Sequence, residues 1–288
     1  MSRTLDSTQA LGFSAEGRTA ADDLVQRLEQ LHAIGASLSA ERDIHRLLEA
    51  ILTASKSITR ADGGTLYRLT EDGTLRFEIV RTSSLKLYLG GTTGSPIPFY
   101  PIHLTDKDGK PNHSMVAAYA ALTGKTVNIA DAYTADGFDF TGTRNFDKKT
   151  GYRSKSFLTV PMANHEHEII GVLQLINAQD PKTGDIVPFS AADQRLAESL
   201  ASQAAIALTN RMLINQLEQL FESFIALINT AIDEKSPYTG GHCQRVPALT
   251  MMLAEAVSET PDGPLRDLEM TEKDRYELWV EISAQCTP

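Results

Sequence analysis

The order of apolar and polar positions predicts a sheet in the middle of the chain, with helices before and after it. Two β-branched segments, Ser156–Met162 and Glu168–Asn177, flank the polar run Ala163–His167. The second segment is almost continuous in Ile, Val and Leu, as in a central strand that is buried on both faces. Two further strands are predicted at residues 65–69 and 75–80, with a tight turn between them. We therefore predict two antiparallel hairpins in one sheet.

Before the sheet, leucine and isoleucine recur at the spacing of one helix face in residues 24–38 and 44–58. This periodicity predicts two amphipathic helices. Ser39 is the predicted cap of the second helix, and Gly63 and Gly64 are predicted to end the helical section. Residues 1–19 contain few large apolar side chains and are predicted to form a flexible tail, because little burial would offset the entropy of ordering them.

Between the two hairpins, glycine and proline predict a long irregular segment over residues 83–111, with a short strand at 97–104. A short helix is predicted at 114–123 and another strand at 126–131, whereas residues 132–145 are predicted to be loop. Irregular segments of this length often cover a binding site. The predicted fold class is α+β, an antiparallel sheet flanked by helices.

After the second hairpin, a very long helix is predicted from Ser190 onward, with Asp193 in its first turn, where an acidic group complements the helix dipole. Alternating steps of four and three residues along this helix select a series of positions that are mostly apolar. These positions are Leu196, Leu200, Gln203, Ala207, Asn210, Ile214, Leu217, Phe221, Phe224, Ile228 and Ala231. This heptad pattern predicts a coiled-coil-like contact between two copies through residues 196–231. The alternative is an amphipathic helix that packs on its own domain.

Composition narrows the choice of partners. The 288-residue chain has a net charge of −10 and a pI near 5.2, so we expect it to bind neither nucleic acid nor an anionic membrane. The two cysteines, Cys243 and Cys286, lack the spacing of metal ligands, and the sequence has no apolar run of membrane-spanning length. We therefore expect a cytoplasmic protein without a disulfide framework.

The second hairpin and the start of the long helix carry a resemblance to a known family. The segments IIGVLQLINAQD and PFSAADQRLAESLASQAAIALTN resemble the GAF domain, a small-molecule sensor of cyclic-nucleotide phosphodiesterases and bacterial signalling proteins. Members that bind cyclic nucleotides carry an Asn-Lys, Phe, Asp-Glu signature, which Asn177, Phe189 and Asp193 match. Ala178 and Gln194 replace the Lys and the Glu. We interpret the three matching residues as scaffold.

The GAF resemblance covers residues 40–212 and implies a GAF-type sheet with a ligand beneath a cover of loops and short helices. Nine polar residues of this region are candidate contacts to the ligand. We favour Asn112, Thr126, Asn128, Asp131, Asn145 and Thr159 over His113, Asp139 and Thr141. The implied ligand is a small molecule, and a cyclic nucleotide is the first candidate.

A second resemblance begins near the end of the long helix. Residues 221–246, which include DEKSPYTGGHCQRV, resemble the opening of an HD-GYP domain, a bacterial class of metal-dependent phosphodiesterase that cleaves cyclic di-GMP. This resemblance implies that His242 is a metal ligand and that a complete domain binds iron or manganese. The family's His-Asp dyad and Gly-Tyr-Pro motif do not occur in the sequence, and one histidine cannot hold a multinuclear centre. We therefore expect an incomplete, all-α HD-type segment with no cofactor, an unoccupied His242 and no catalytic residues.

The predicted organisation is a tail at 1–19, a GAF sensor domain with its N-terminal helix at 20–212, a signalling helix at 213–235 and an HD-GYP start at 236–288. Three functions follow. The chain is a homodimeric sensor that binds a ligand and signals through its long helix, or an active phosphohydrolase if its HD-GYP domain is complete. The third function is a ligand-free GAF domain that serves only dimerisation, which the replacements at Ala178 and Gln194 favour.

Overall fold

The computed structural model describes residues 15–235, 241–260, 265–266 and 268–285. The chain divides into two compact units, residues 1–211 and 212–288. The first unit contains α1 (Ala15–Ala40), α2 (Ile44–Thr59), β1 (Ala61–Leu69), β2 (Thr74–Thr82), β3 (Leu87–Gly90), β4 (Ile102–His103), α3 (Val116–Thr123), β5 (Val127–Ile129), α4 (Thr141–Thr150), β6 (Phe157–Ala163), β7 (Ile169–Gln179), β8 (Ile186–Val187) and the first half of α5 (Ala191–Lys235). The second unit contains the rest of α5, α6 (His242–Glu259) and α7 (Glu272–Gln285).

The sheet has the strand order β3-β2-β1-β7-β6-β5, with β4 paired to β2 and β8 paired to β7. All described pairings are antiparallel, including the two predicted hairpins β1–β2 and β6–β7. Strand β7 lies between β1 and β6, and Val172, Leu173 and Leu175 in it are buried. The predicted antiparallel sheet with a doubly covered central strand is therefore confirmed.

Helices α2 and α5 cover one face of the sheet, which we call the helix face. Alternate strand residues point to it because successive side chains of a strand lie on opposite faces. The resulting core is made by Leu47, Ile51, Leu66, Ile79, Leu158, Leu173, Leu175, Leu200 and Ala204, together with neighbours of the same kind. Burial of these side chains is the main favourable term for folding of the first unit.

The end of α2 differs from the sequence prediction. Gly63 and Gly64 do not break the helical section but lie inside β1, because α2 already ends at Thr59 and Arg60 takes the left-handed conformation, with φ 55°. A Cβ on Gly64 would come within 2.7 Å of Leu52 Cδ1, so this glycine lets α2 approach the sheet closely. The N-cap of α2 is Asp43 rather than Ser39, since its carboxylate accepts a hydrogen bond from the Arg46 amide.

The segment between the hairpins contains more helix and less strand than predicted. Helix α4 begins at Thr141, inside the predicted loop. Of the strand predicted at 97–104, only Ile102 and His103 pair with a neighbour, because the prolines in this segment lack the N–H that a ladder requires. Residues 15–19 of the predicted tail belong to α1, and residues 1–14 lie outside the described part of the chain.

The two halves of α5 have different surroundings. Ser190 and Asp193 cap its start reciprocally, since the Asp193 carboxylate accepts from the Ser190 amide and the Ser190 hydroxyl accepts from the Asp193 amide. Leu196 and Leu200 are buried in the core of the first unit. In the second unit, the large apolar side chains Leu213, Ile214, Leu217, Leu220, Phe221, Phe224 and Leu227 are exposed. The apolar stripe that is exposed on α5 is therefore shorter than the predicted 196–231, because the first third of that range packs on its own domain. Pairing of two copies stays a prediction.

The described part of the second unit is helical. Ile225 and Asn229 of α5, Pro247 of α6 and Trp279 of α7 line a small cavity of about 270 Å³. Across the described residues of both units, no helix combines the length and the apolar character that crossing a membrane requires.

Candidate ligand-binding site

The sheet face opposite the helix face carries a cavity of about 320 Å³, and we call this face the cavity face. Its floor consists of alternate residues of β1, β2, β6 and β7, and its cover is the start of α3, the first turns of α4 and residues 99–102. A volume at the lower end of the range for small-molecule sites fits a ligand the size of one nucleotide.

Aromatic side chains form one wall of the cavity. Tyr67 and Phe77 lie on the sheet with ring centroids 4.7 Å apart, and Phe99 from the cover lies 5.3 Å from Phe77. Phe146 of α4 continues the series at 6.3 Å from Phe99. Such a wall offers flat apolar faces on which a planar ring can stack.

Gln174 is the central polar group of the floor. Its Oε1 accepts a hydrogen bond from the Tyr67 hydroxyl at 3.1 Å, and its Nε2 donates to Thr159 Oγ1 at 3.1 Å. Burial raises the pKa of Tyr67, so this phenol stays protonated over the physiological range. The side-chain amide is therefore held between two neutral hydroxyls.

Two helices begin at the cavity. Met115, Val116 and Ala117 at the start of α3 line it, and Met115 makes no side-chain cap, so the first N–H groups of α3 have no capping side chain. At α4, the Asp139 carboxylate accepts from the Thr141 amide at 2.8 Å. Hydrogen bonds from Thr141 hold the pKa of Asp139 below its usual value. The start of α4 thus already carries an anion, whereas the start of α3 does not.

Two buried carboxylates fasten the cover, one to neighbouring loop residues and one to the sheet. Asp147 of α4 accepts from the Tyr133 hydroxyl at 2.6 Å and from the Ser154 amide and hydroxyl, both at 2.8 Å. The hydroxyl of Tyr152, just after α4, donates to Asp62 of β1 at 2.7 Å. Burial and this hydrogen bond raise the pKa of Tyr152. The cover is therefore held by ionic hydrogen bonds rather than by apolar packing alone.

Five of the six favoured ligand residues, Asn112, Thr126, Asn128, Asp131 and Asn145, do not line this cavity. Asn112 donates to the His103 carbonyl, Asn128 donates to the Phe189 carbonyl and the Gln194 side chain, and Asp131 accepts from the Tyr133 amide. Asn145 is exposed on α4. Thr159 is buried beneath Gln174 and reaches the cavity only through it. Asp139 lines the cavity.

Sequence reasoning missed the aromatic wall and Gln174. One signal was present, because Gln174 is the only polar side chain in the run Ile169–Ile176. A buried polar group in a central strand needs hydrogen-bond partners, and this requirement marks its position as unusual.

None of the three residues interpreted as scaffold lines the cavity. Asn177, with φ 59°, accepts from the Lys155 amide at 2.7 Å and donates to the Arg153 carbonyl at 2.8 Å. Phe189 is buried in the core of the helix face. Asp193 caps α5 and pairs with Arg27 of α1, whose guanidinium also donates to the Ile58 carbonyl.

The assignment of His242 as a lone, unoccupied metal ligand stays a prediction. His242 is the first residue of α6, but its side chain and residues 236–240 lie outside the described part of the chain. Among the residues that are described, no group of three or more His, Cys, Asp and Glu side chains could hold a metal ion.

Comparison with models of known protein families identifies one family that covers most of the first unit. The family model for the GAF domain matches residues 43–208, which is more than half of the chain. This range contains all of the sheet, both fastening carboxylates and the whole cavity.

Similar curated proteins are much longer than this chain. The dual 3',5'-cyclic-AMP and -GMP phosphodiesterase 11A of Takifugu rubripes is 35% identical over 107 residues, which are 37% of this chain and 11% of that protein. The cGMP-specific 3',5'-cyclic phosphodiesterase of Drosophila mojavensis is 27% identical over 258 residues, 86% of this chain and 21% of that protein. The chain thus spans about a fifth or less of these relatives.

Solved structures with a similar fold include the GAF domain from an Acinetobacter phosphoenolpyruvate-protein phosphotransferase, with TM-score 0.48, 15% identity and coverage of 66% of this chain and 98% of that one. Free methionine-R-sulfoxide reductase from Neisseria meningitidis, in complex with its substrate, has TM-score 0.47, 18% identity and coverage of 72% and 99%.

Proposed function

Because this chain belongs to the GAF domain family, we propose that it is a sensory protein that binds a purine cyclic nucleotide in the cavity on the cavity face of its sheet. The observation that carries this proposal is the combination of an aromatic wall with an uncapped helix start in one cavity. A cyclic nucleotide has a planar base for the wall and a single negative charge for the helix start.

The base would stack against the series Tyr67, Phe77 and Phe99. Stacking of a base on an aromatic side chain contributes about 1–3 kcal/mol in nucleic-acid complexes. Gln174 at the floor supplies hydrogen bonds to the edge of the base. The wall and the floor thus account for affinity and orientation, respectively.

The phosphate would lie at the start of α3. Helix N-termini attract anions because their first N–H groups are unpaired and the helix dipole places partial positive charge there. No Lys or Arg belongs to the described lining of the cavity, so the helix start is the feature there that can compensate a phosphate. The start of α4 is less suitable, since Asp139 already occupies it.

The relatives give the first ligands to test. Cyclic AMP and cyclic GMP appear in the names of the phosphodiesterases that this chain is similar to. A cyclic dinucleotide is about twice the size of one nucleotide, whereas the cavity of about 320 Å³ is at the lower end of the range for small-molecule sites. We therefore expect cyclic AMP or cyclic GMP, and not cyclic di-GMP, to bind in this domain.

The test is isothermal titration of the full chain with each nucleotide, together with melting temperatures. A ligand that binds only the native state raises the melting temperature by mass action. Failure of cyclic AMP and cyclic GMP to bind at millimolar concentration would reject the proposal and favour a ligand-free dimerisation domain.

Substitution of Val116 tests the helix start directly. Val116→Pro removes the first N–H of α3, and Met115 before it has the extended conformation that precedes a proline, with φ −91° and ψ 124°. Loss of one hydrogen bond to a charged group should weaken cyclic GMP about 10- to 100-fold while leaving guanosine binding nearly unchanged. Ile44→Pro, at the equivalent position of α2, is the matched control and should leave both affinities unchanged.

The finer proposal is that α5 conveys ligand occupancy to an HD-GYP-type phosphodiesterase domain in a bacterial signalling protein. The resemblance of residues 221–246 and the helical character of the second unit support it. We propose that this chain does not itself cleave cyclic di-GMP, because His242 is the single ligand that the resemblance provides. Turnover of cyclic di-GMP by the purified chain with added iron or manganese would contradict this.

Pairing of two copies is part of the same proposal. The exposed apolar side chains of α5 between Leu213 and Leu227 form the stripe that a second copy would cover. Leu217→Glu together with Phe224→Glu should convert a dimer to a monomer in analytical ultracentrifugation. A wild-type chain that sediments as a monomer at micromolar concentration would reject pairing without affecting the ligand proposal.

A further inference from the structure

Gln174 has unused hydrogen-bonding capacity at the floor of the cavity. A glutamine amide has two N–H donors and an oxygen with two lone pairs. The Tyr67 hydroxyl uses one lone pair, and Thr159 Oγ1 uses one N–H. These two hydrogen bonds leave one donor and one acceptor of the amide for a ligand, and Gln174 lines the cavity.

Each neighbour of this amide can either donate or accept. Hydroxyl groups of Tyr and Thr carry one O–H and two lone pairs, and the raised pKa of Tyr67 keeps its proton in place. If the amide turns by 180°, Nε2 donates to the Tyr67 oxygen and Thr159 donates to Oε1, so both contacts persist. The Tyr67 O–H then turns toward Thr65, whose side chain also forms a hydrogen bond with Tyr67. The rotation therefore exchanges the donor and the acceptor that face the cavity at little cost in hydrogen bonding.

We propose that rotation of the Gln174 amide between Tyr67 and Thr159 lets this one site bind both 6-amino and 6-oxo purine cyclic nucleotides. The proposal rests on the proposed function, since it assigns the edge of the base to Gln174. A 6-amino purine presents an N6 donor beside the N1 acceptor, and a 6-oxo purine presents the O6 acceptor beside an N1–H donor. Each pattern is complementary to one of the two amide orientations.

The first experiment measures the dissociation constants of cyclic AMP, cyclic GMP and cyclic IMP with the full wild-type chain. Cyclic IMP has the 6-oxo edge without the 2-amino group of guanine. The rotation predicts that all three bind within about tenfold of one another, because each can make two hydrogen bonds to Gln174. Binding of one class with a preference greater than about a hundredfold would overturn the rotation and leave the proposed function standing.

Substitution of Gln174 is the second experiment. Gln174→Leu should weaken cyclic AMP and cyclic IMP by a similar factor, roughly 10- to 100-fold, because both lose two hydrogen bonds. Gln174→Glu should favour cyclic GMP over cyclic AMP, since a carboxylate accepts from both N1–H and the 2-amino group of guanine but repels N1 of adenine. Gln179→Leu is the matched control, because Gln179 is exposed on the same strand and outside the cavity.

The possible outcomes distinguish failure of the Gln174 inference from failure of the proposed function. Unchanged affinities in both Gln174 variants would overturn the inference while the proposed function stands, provided that circular dichroism shows both variants folded. If either variant does not fold, cyclic IMP and cyclic AMP on the wild type decide the rotation by themselves. Absence of binding by all three nucleotides would reject the proposed function and the inference together.

Discussion

The two faces of the sheet show how one strand serves both stability and binding. On β7, Leu173 and Leu175 point to the helix face and are buried against α2 and α5, whereas Val172, Gln174 and Ile176 point to the opposite side. The helix face is filled with aliphatic side chains, and the cavity face is aromatic, partly polar and incompletely filled. The difference indicates that the helix face fixes the fold, so the cavity face is free to keep a void that close packing would otherwise eliminate.

Substitutions at two adjacent residues of β7 should differ most in their effects on stability and on nucleotide binding. Leu173→Ala should lower the free energy of unfolding by about 2–5 kcal/mol, because it removes a fully buried side chain and leaves a void in the helix face. Gln174→Leu, one residue later, should change the free energy of unfolding by less than about 1.5 kcal/mol while it weakens nucleotide binding about 10- to 100-fold. Urea denaturation and titration calorimetry on both variants measure the two effects. Equal stability losses would show that the faces are not specialised.

Substitution of Gly171 should give the next largest effect on the free energy of unfolding. A Cβ at this position would lie 2.3 Å from the Tyr67 carbonyl oxygen, so Gly171→Ala must push β7 away from β1. We expect a loss of about 1–3 kcal/mol in the free energy of unfolding. Gly142→Ala on α4 meets no atom within 4 Å and should be neutral or slightly stabilising. A difference below about 0.5 kcal/mol between these two variants in urea denaturation would contradict the close approach of the strands.

Asp147 tests how the cover of the cavity is held. Asp147→Asn places an amide where Tyr133, the Ser154 amide and the Ser154 hydroxyl all donate, so at least one donor loses its acceptor. The expected loss is about 1–3 kcal/mol, together with weaker nucleotide binding. Asp136→Asn, an exposed carboxylate before α4, is the control. An Asp147 variant with wild-type affinity would show that the cover need not be fastened for binding.

The smallest expected effect is on the pH dependence of stability, and it comes from Glu49 of α2, at the edge of the helix face. Burial raises the pKa of Glu49, but the hydrogen bonds and charge of Arg81 outweigh it, and the net result is a lowered pKa. A lowered pKa contributes stability that is present above the unfolded-state pKa near 4.5 and is lost as the pH falls through the folded-state value. Glu49→Gln should therefore flatten the fall in melting temperature as the pH is lowered below about 5, relative to wild type. The exposed Glu71→Gln should not change this slope.

Sequence patterns predicted the helix face better than the cavity face. The helical periodicity of α2 reflects burial on one side, so it located the core correctly. The heptad pattern of α5 was interpreted as a contact between two copies, whereas Leu196 and Leu200 at its start pack in the core of their own domain. Strand β7 is covered on both faces, and its continuous apolar run therefore contains no alternation that could tell Leu173 from Gln174 by direction. Helix α4 was missed because its N-cap, Phe140, makes no side-chain hydrogen bond that would mark a helix start.

The predicted ligand residues were chosen by polarity, and the structure uses polarity mostly for other purposes. Asn112 and Asp131 satisfy backbone groups of nearby residues, and Asn128 of β5 donates to the Phe189 carbonyl and the Gln194 side chain near the start of α5. Which loop residue lies over the cavity depends on the tertiary path of the cover, and local sequence does not encode that path. Aromatic residues such as Phe99 and Phe146 could not be assigned to the cavity from sequence either, since aromatic side chains are also common in cores.

Hydrogen–deuterium exchange of the full chain, with and without saturating cyclic GMP, tests the central claim most directly. The account predicts slower exchange at the first amides of α3, residues 116–118, and in the cover around α4, with no change in the amides of α2. Slower exchange confined to α2, or no change at any amide under conditions where calorimetry detects binding, would contradict the assignment of the cavity face as the ligand site.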